Sequence, residues 1–398
     1  MAPRIYFDHA SGTPPCRAAI EAMRPFTDGA HFANATSLHA EGAFCFAAIE
    51  RAREHVARML GARSDEIVFT SCGTEAVNLA IKGLAAATLA PSHGVSPAPD
   101  ARPVVTSVAE PLAIVNALNS LERVGAAADR VPVDAAGVVD VAAIRERLAR
   151  PAAFVVTHHA SRETGVAQPV EQIAAAARAA CVPLVCDATA SAGLLALDVA
   201  NLGADLVAIS AHTFGGPQGA GALWIRRGVR IRPMIDGGTE EFGLRAGTVN
   251  VAAIAGMGAA AEEAHGDMAI RAARLHDLAA ALRDGLLRVC PTARVSSPIR
   301  GGIPGYVHAA FRGLDGEALV ALLDGEGVAA STGSPCATGT GKPSHVLLAM
   351  GIPAEEARGT LLLTLGASNT RDDIDRFLEI LPRSIARLRS IADRDNRG

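Results

Sequence analysis

The sequence predicts an α/β protein in which a large, mostly parallel β-sheet is flanked by helices and is followed by a smaller α+β domain. Three observations lead to this fold class. Strand-sized apolar runs alternate with alanine-rich helical patterns through about the first 250 residues. A long alanine-rich helical stretch then extends from about residue 252 to Cys290. After Cys290, short elements interrupted by glycine and proline replace the regular alternation.

The strands of the large sheet are predicted where apolar residues follow one another, because parallel strands are buried on both faces. Helices are predicted where apolar residues recur three or four positions apart. The predicted strands lie within 67–70, 103–107, 153–158, 182–187 and 205–210. The predicted helices span about 43–60, 74–87, 111–124, 140–150, 169–180, 315–326 and 371–390. The proline-rich segment 88–102 is predicted to be a surface loop.

The composition excludes several classes of function. The 37 basic and 41 acidic residues give a net charge of −4, too small and too evenly mixed to suggest binding of nucleic acid or of a membrane surface. Seven cysteines without a CxxC pair argue against a disulfide framework. The sequence contains neither a signal-peptide pattern nor about 18 consecutive apolar residues, so we expect a cytoplasmic protein. The lysines are Lys82 and Lys342 alone, which leaves two candidates for side-chain amine chemistry.

Polar residues that follow the apolar runs are candidate site residues, because the carboxyl ends of parallel strands meet at one edge of a sheet. Gly73 and Thr74 follow the run 67–70 and open a helix, so their backbone N–H groups could hold a phosphate. An ordinary helix cap by Thr74 is the alternative. Asp187 ends another run and could pair with a protonated ring nitrogen of a cofactor, or it could be a solvated loop residue.

Three further segments carry reactive or polar groups. Ser210 and His212 end a third run before a glycine-rich turn, where a capping serine is the simpler interpretation. Cys336 lies in a loop of small residues, and an exposed thiol there suits sulfur transfer, with an incidental surface cysteine as the alternative. The Gly/Thr-rich loop 237–248 is a weak candidate for an anion clamp. No spacing of histidine and cysteine demands a metal, so we predict no metal site.

In their order along the chain, these motifs resemble those of cysteine desulfurases of the NifS/IscS type, within the class V aminotransferase branch of enzymes that use pyridoxal 5′-phosphate (PLP). The segments that match the family's motifs are 34–42, 66–78, 187–191, 210–212, 215–223, 245–248 and 333–336. The resemblance implies the PLP-dependent transferase fold type I and a homodimer. It also implies a large domain at 16–252 and a small α+β domain formed by 1–15 with 253–398.

The resemblance also implies roles for individual residues. The family's cofactor-binding positions correspond to Gly73, Thr74, Asp187, Ser210, His212 and Thr248. Asp187 is implied to pair with the pyridine nitrogen and Thr248 to reach the phosphate held by a neighbouring subunit, while the other four hold the phosphate. Cys336 is the implied sulfur acceptor, which takes sulfur from PLP-bound cysteine as a persulfide, leaves alanine and passes the sulfur to an acceptor protein.

Five positions of this site depart from the family's pattern. Thr213 stands at the Schiff-base lysine, and a hydroxyl can neither form an imine nor carry the reacting proton. Leu362 stands at the arginine that binds the substrate carboxylate, so a charge-assisted contact is lost. The other three departures are Pro111 for the histidine that stacks on the cofactor, Ala190 for a glutamine near the ring oxygen, and Ser161-Arg162 for an Asn-Asn pair.

Three residues are weak candidates to take over the role of the missing lysine. Lys82 lies eight residues past Thr74, about 12 Å along a helix, and is predicted to point away from the cofactor ring. Lys342 lies in the Cys336 loop and could approach the site, or it could be a solvated loop charge. His212 is a candidate base toward PLP that is held without a covalent bond.

Two functions follow from this pattern. The first is a cysteine desulfurase-like sulfurtransferase in which the standard PLP-lysine activity is lost. The alternative is a non-catalytic pseudoenzyme that relays sulfur through Cys336 or serves as the structural partner of an active paralogue. Purified protein of the first kind should bind PLP and release alanine from cysteine through some other base, whereas the second should do neither.

Overall fold

The structure is a computed structural model that describes residues 4–88, 102–333 and 342–395. The strands in these ranges are β1 (Ile5–Tyr6), β2 (Ile67–Thr70), β3 (Val104–Ser107), β4 (Ala128–Val131), β5 (Val155–His158), β6 (Leu184–Asp187), β7 (Leu206–Ser210), β8 (Gly221–Ile225), β9 (Arg294–Val295), β10 (Tyr306–Ala310), β11 (Val328–Ala329) and β12 (Thr360–Thr364). The helices are α1 (Arg17–Thr27), α2 (Ala40–Met59), α3 (Gly73–Thr88), α4 (Leu112–Glu122), α5 (Val141–Leu148), α6 (Val170–Ala179), α7 (Val199–Leu202), α8 (Val251–Val289), α9 (Gly316–Gly325), α10 (His345–Ala349), α11 (Ala354–Arg358) and α12 (Arg371–Asp395).

The large sheet has seven strands in the order β2-β8-β7-β6-β5-β3-β4. The pairs from β7 through β6, β5 and β3 to β4 are parallel, and β8 pairs antiparallel with both β7 and β2. The predicted α/β class with a mostly parallel sheet is therefore confirmed. The sequence analysis did not identify β4, an edge strand with the polar pair Asp129-Arg130, or β8, which follows a glycine-rich turn.

Helices cover both faces of this sheet, because alternate residues of its strands point to opposite sides. Val105 and Val155 belong to a core that also contains residues of α2, α6 and the first half of α8. Val104 and Val156 belong to the opposite core, under α3 and α4. Burial on both faces explains why these strands are apolar throughout.

A second, smaller group of elements packs around β10 and β12. These strands pair antiparallel, β9 extends them, and the short parallel pair β1-β11 lies beside them through a bridge between Asp8 and Thr364. Their core includes Phe7, Leu282 and Phe377, so it combines β1, the second half of α8 and α12. The predicted domain boundary between 252 and 253 falls in the first turn of α8, and the division into two domains stays a prediction.

Two other features bear on the sequence analysis. The helices of the described ranges include none that is long and apolar enough to cross a membrane. The six cysteines within those ranges are all free thiols. Most of the predicted loop 88–102 and the whole segment 334–341 lie outside the described residues.

Candidate functional site

A pocket opens at the edge of the large sheet where the polar motifs lie. The register pairs Ser210 with Gly221 and Gly221 with Thr70, and it pairs His158 with Asp187, so the carboxyl ends of β2, β5, β6 and β7 lie side by side. The pocket wall includes Gly73, Thr74, Pro111, Arg162, Asp187 and Ala190. Residues from distant parts of the sequence therefore meet at the place that the sheet topology predicts.

The N-terminus of α3 forms one end of this pocket. The helix begins at Gly73, and the Cys72 sulfur accepts a hydrogen bond from Glu75 N, so Cys72 is the capping residue and the alternative cap at Thr74 is wrong. The Thr74 hydroxyl has no hydrogen-bond partner among the described residues. A β-carbon on Gly73 would lie 2.5 Å from Thr189 Cγ2, so only glycine keeps this approach open. Backbone N–H groups of a 16-residue helix are thus exposed to an anion.

Ser210 and His212 lie beside the same helix end. A β-carbon on Gly73 would be 3.0 Å from Ser210 Cβ, which places that serine directly against the start of α3. Ser210 Oγ and His212 Nδ1 form a hydrogen bond of 2.9 Å. Burial lowers the pKa of His212, and the positive charge of Arg162 lowers it further, so the imidazole is neutral near pH 7. It therefore offers a hydrogen bond to an anion rather than a full charge.

Asp187 forms the base of the pocket at the end of β6. Its carboxylate is 4% exposed and accepts a hydrogen bond of 2.9 Å from Thr189 N. Burial raises the pKa of Asp187, because the charged form loses hydration, and the positive charge of the neighbouring His158 acts in the opposite direction. A cationic ring nitrogen would relieve that loss of hydration.

Behind Asp187 lies a buried pair that the sequence analysis missed. His158 Nδ1 lies 2.8 Å from Glu110 Oε2, and both side chains are at most 2% exposed. Glu110 also accepts hydrogen bonds from Ser107 Oγ and His158 N, while Gln168 Nε2 lies 3.1 Å from His158 Nε2. Burial alone would lower the pKa of His158, but the Glu110 carboxylate raises it above its ordinary value. The two residues lie 48 positions apart in sequence, and only the β3-β5 pairing brings them together.

Thr213 supplies neither an amine nor any other base to the pocket. Its hydroxyl donates a hydrogen bond of 2.8 Å to the Ser210 carbonyl oxygen within a short 3-10 turn. The residue is 9% exposed and lines a second pocket, which also contains Ala190 and Tyr306. Ala190 lies in the wall between the two pockets, because it lines both.

Leu362, at the position of the implied substrate arginine, is 2% exposed in β12. It packs in a small apolar cluster with Ala160, Ala190 and Tyr306. Pro111 lines the first pocket and precedes α4, where it offers neither an aromatic ring nor an N–H group. Leu362 and Pro111 therefore supply neither the charge nor the stacking ring that the family's pattern has at these two positions.

The two lysines and two further predicted site residues lie elsewhere. Lys82 is half-buried on α3 and Lys342 is exposed, and neither belongs to the residues that line the first pocket. Thr248 is exposed and likewise does not line it. Cys336 lies outside the described residues, three positions after Gly333, which does line the pocket. The roles of Thr248 and Cys336 stay predictions.

The structure also bears on two weaker interpretations of the sequence, an anion clamp in the loop 237–248 and a metal site near the histidines at the strand ends. In the loop 237–248, Arg245 Nε donates to Glu75 Oε1 at 3.0 Å, so its charge is engaged by the first turn of α3. His159 Nδ1 lies 2.8 Å from Ser191 Oγ. The described residues contain no group of three or more histidine, cysteine, aspartate or glutamate side chains that could hold a metal ion.

Comparison with known proteins identifies a family. The chain matches the description "Aminotransferase class-V" over residues 5–377. It is 40% identical over 389 residues to "Cysteine desulfurase IscS 1" of Archaeoglobus fulgidus, which covers 97% of this chain and 98% of that protein. It is also 40% identical over 394 residues to "IscS-like cysteine desulfurase" of Mycobacterium tuberculosis, with 97% and 98% covered.

Solved structures show the same likeness. A "NIFS-LIKE PROTEIN" superposes with a TM-score of 0.87 at 31% identity, covering 97% of this chain and all 100% of the other. A NifS-like protein from Rickettsia africae superposes with a TM-score of 0.85 at 28% identity, covering 96% and 99%. The resemblance that the motifs indicated is therefore confirmed over almost the whole chain.

Proposed function

Because the chain belongs to the class-V aminotransferase family and is similar to cysteine desulfurases, we propose that it holds PLP without a covalent bond and has lost their lysine-dependent reaction. The observation that carries this proposal is Thr213. Its hydroxyl occupies the lysine position and is engaged by the Ser210 carbonyl oxygen. A side chain without an amine cannot form the covalent link to the cofactor, whatever the remainder of the site retains.

The residues at the other end of the pocket fit PLP. The start of α3, the open Thr74 hydroxyl and Ser210 would hold the phosphate, since Gly73 leaves room for close approach to the backbone. Asp187, buried at the base, would pair with the ring nitrogen. When bound, PLP supplies an electron-withdrawing ring that stabilises negative charge on a substrate carbon. The positive charge of His158 would favour the ionised form of Asp187, and the Glu110 carboxylate would oppose it.

Proton transfer is the step for which the chain offers no residue at the expected place. Thr213 has no basic atom, and the two lysines lie outside the pocket wall. His212 is neutral, but its Nδ1 is held by Ser210. We infer that abstraction of a proton from a bound amino acid is slowed by orders of magnitude, because general bases typically contribute about 10²- to 10⁴-fold to rate.

Sulfur carriage by Cys336 is the second part of the proposal. Gly333 lines the pocket, so the chain leads from the site toward Cys336 within three residues. In this role the Cys336 thiolate attacks the outer sulfur of a donor persulfide, forms a new sulfur–sulfur bond and releases the donor thiolate. The donor would be an active desulfurase, and the alternative of a purely structural partner predicts no such transfer.

Three coarser expectations accompany this function. A homodimer is supported by the similarity of the chain to NifS-like proteins over almost its whole length. The division into a large domain at 16–252 and a small domain at 1–15 with 253–398 accords with the separate apolar cores. A cytoplasmic location remains a proposal from composition.

The test measures PLP binding and cysteine breakdown in the same preparation. We expect purified protein to bind PLP saturably and to release no more alanine from L-cysteine than heat-denatured protein does. Alanine release in proportion to protein concentration would overturn the loss of activity, and failure to bind PLP would overturn retention of the cofactor. For Cys336, incubation with an active desulfurase and L-cysteine should add the mass of one sulfur atom at that residue. Cys336→Ser is the control, and no gain at Cys336 contradicts the relay.

A further inference from the structure

Arg162 is a positively charged side chain in the pocket wall that forms no direct ion pair with a described residue, although its charge acts on the nearby Asp8. It lies in the loop after β5, lines the pocket and is half-buried. Within the described ranges it forms neither a hydrogen bond nor an ion pair. Other arginines near the site are engaged, since Arg53 pairs with Glu241 and Arg245 with Glu75. A partly desolvated guanidinium that lacks a partner is a site for an anion.

The backbone around Arg162 is held by three hydrogen bonds to Ser161. Ser161 Oγ accepts hydrogen bonds from the backbone N–H groups of Glu163 and Thr164, at 3.3 and 3.2 Å. Gly165 N donates to the Ser161 carbonyl oxygen at 2.8 Å. This turn fixes the starting point of the arginine side chain, so a ligand in the pocket meets a positioned cation at little further loss of backbone entropy.

Arg162 follows a stretch of the pocket wall that shares an apolar cluster with Leu362. Ala160, two residues before it, shares an apolar cluster with Leu362 and Tyr306. Burial raises the pKa values of Asp8 and Tyr306, and in both cases the positive charge of Arg162 acts in the opposite direction. Asp8 bridges to Thr364, two residues beyond Leu362 on β12. The charge of Arg162 therefore acts on two groups that adjoin β12, the strand that carries Leu362.

We propose that Arg162 binds the carboxylate of a small amino acid in this pocket, in place of the arginine that Leu362 replaces. The guanidinium presents parallel N–H groups that match the two oxygens of a carboxylate. Ala160 and Ala190 of the wall are apolar and share a cluster with Leu362, so none of these three residues supplies a competing donor. The nature of the ligand rests on the proposed function, whereas the presence of an anion-binding group rests on the contacts alone.

The test compares two ligands that differ only in the carboxylate. L-alanine and L-alaninamide are titrated calorimetrically into PLP-loaded and PLP-free protein, in the wild type, Arg162→Gln and Arg162→Lys. We expect the wild type to prefer L-alanine and Arg162→Gln to weaken L-alanine about tenfold to hundredfold without changing L-alaninamide. Arg162→Lys should keep part of the preference, since it keeps the charge but not the bidentate geometry. Arg130→Gln, which breaks a half-exposed pair with Glu122 far from the pocket, should leave both affinities unchanged.

The outcomes separate this inference from the proposed function. An equal wild-type affinity for both ligands, with PLP bound, overturns the role of Arg162 alone. A loss of PLP affinity in Arg162→Gln with an unchanged ligand preference also overturns it, because the anion served would then be an oxygen of the cofactor. Failure of the wild type to bind PLP, with an Arg162-dependent preference for L-alanine in the PLP-free protein, overturns the proposed function and supports the inference. Absence of all binding overturns both.

Discussion

The two sides of the pocket have different chemistry. The anchoring wall, formed by Gly73, Thr74, Asp187 and Ser210, keeps the groups that suit a phosphate and a ring nitrogen. We call the second group the reaction wall. It consists of Pro111 and Ala190, which line the pocket, with Thr213 in the adjoining pocket and Leu362 in the same apolar cluster as Ala190. It carries no base, no stacking ring and no cation at the positions where the family's pattern has them. Under the proposed function, cofactor binding and catalysis depend on separate residues, and one can persist without the other.

The physical basis of the two walls explains this separation. The anchoring wall relies on a helix N-terminus and on residues at strand ends, which are parts of the fold itself. Substituting them disturbs buried packing, since Asp187 and Ser210 are at most 4% exposed. The reaction wall relies on the functional groups of single side chains, and Thr213 or Leu362 fits its surroundings without them. The proposed loss of catalysis therefore requires no change in the fold.

The largest expected effect comes from restoring a lysine to the reaction wall. Thr213→Lys should convert PLP from a dialysable ligand to one that borohydride traps as a phosphopyridoxyl-lysine at residue 213, because the amine then lies beside the cofactor site and the adjoining pocket leaves room for the longer side chain. Peptide mass mapping after reduction measures this. Thr213→Arg is the matched control, with similar length and charge but no primary amine. PLP binding by Thr213→Lys without any trapped adduct would contradict the position assigned to Thr213.

A smaller effect is expected when Asp187, at the base of the anchoring wall, is substituted. Asp187→Asn should weaken PLP binding about tenfold to hundredfold, because it removes a charge-assisted hydrogen bond to the ring nitrogen. Since burial raises the pKa of Asp187, the free protein should lose no stability through loss of that charge. Absorbance titration with PLP and thermal unfolding of the PLP-free variant check the two parts. Asp129→Asn, on edge strand β4, should change neither, and equal PLP affinity of wild type and Asp187→Asn would refute the assignment.

Alanine substitutions at Gly73 and at Gly266 should change the free energy of unfolding in opposite directions. Gly73→Ala should lower the free energy of unfolding by about 1–3 kcal/mol and weaken PLP binding, because the new methyl group would lie 2.5 Å from Thr189 Cγ2. Gly266→Ala, in α8 with open space around it, should raise stability by about 0.5–1 kcal/mol and leave PLP binding unchanged. Urea unfolding and PLP titration measure both. If Gly73→Ala bound PLP as the wild type does, the anchoring wall would not depend on close approach at this helix start.

The smallest expected effect is on the stability of the protein at acid pH. It comes from His308, a buried histidine behind the reaction wall. His308 pairs with Leu362 in the β10-β12 register and is fully buried, and neither ring nitrogen has a hydrogen-bond partner in the part of the chain that the structure describes. Burial lowers its pKa to about 4, so below pH about 6.5 the unfolded chain binds a proton that the folded chain refuses. Stability therefore falls as the pH falls from about 6.5 toward 4. His9 and His159, with pKa values also lowered to about 4 by burial, act in the same direction.

His308→Leu should remove one part of this dependence. The loss of unfolding free energy between pH 7.5 and pH 5.5 should shrink by about 1 kcal/mol relative to the wild type. Denaturant unfolding at the two pH values measures the difference, and the change at pH 7.5 alone reports packing. An unchanged difference between the two pH values would show that His308 does not remain neutral in the folded chain.

Much of the anchoring wall could be predicted from the sequence, because its residues directly follow apolar strands. The runs that end at Thr70, Asp187 and Ser210 predicted both the strands and the edge at which their side chains meet. Glu110 and His158 could not be predicted as a pair, since their contact depends on which strands are neighbours and no local pattern reports that. Arg162 was visible only as part of a changed motif. That it forms no direct ion pair with a described residue is a property of the folded chain.

The most direct test of the account follows PLP in the wild-type protein. The protein is saturated with PLP, divided, and one half is reduced with borohydride before both halves are dialysed and their peptides mapped. The account predicts saturable binding before dialysis, loss of PLP from both halves and no phosphopyridoxyl-lysine. Recovery of that adduct at Lys82 or Lys342 would contradict it, because a lysine would then have replaced the missing residue at position 213.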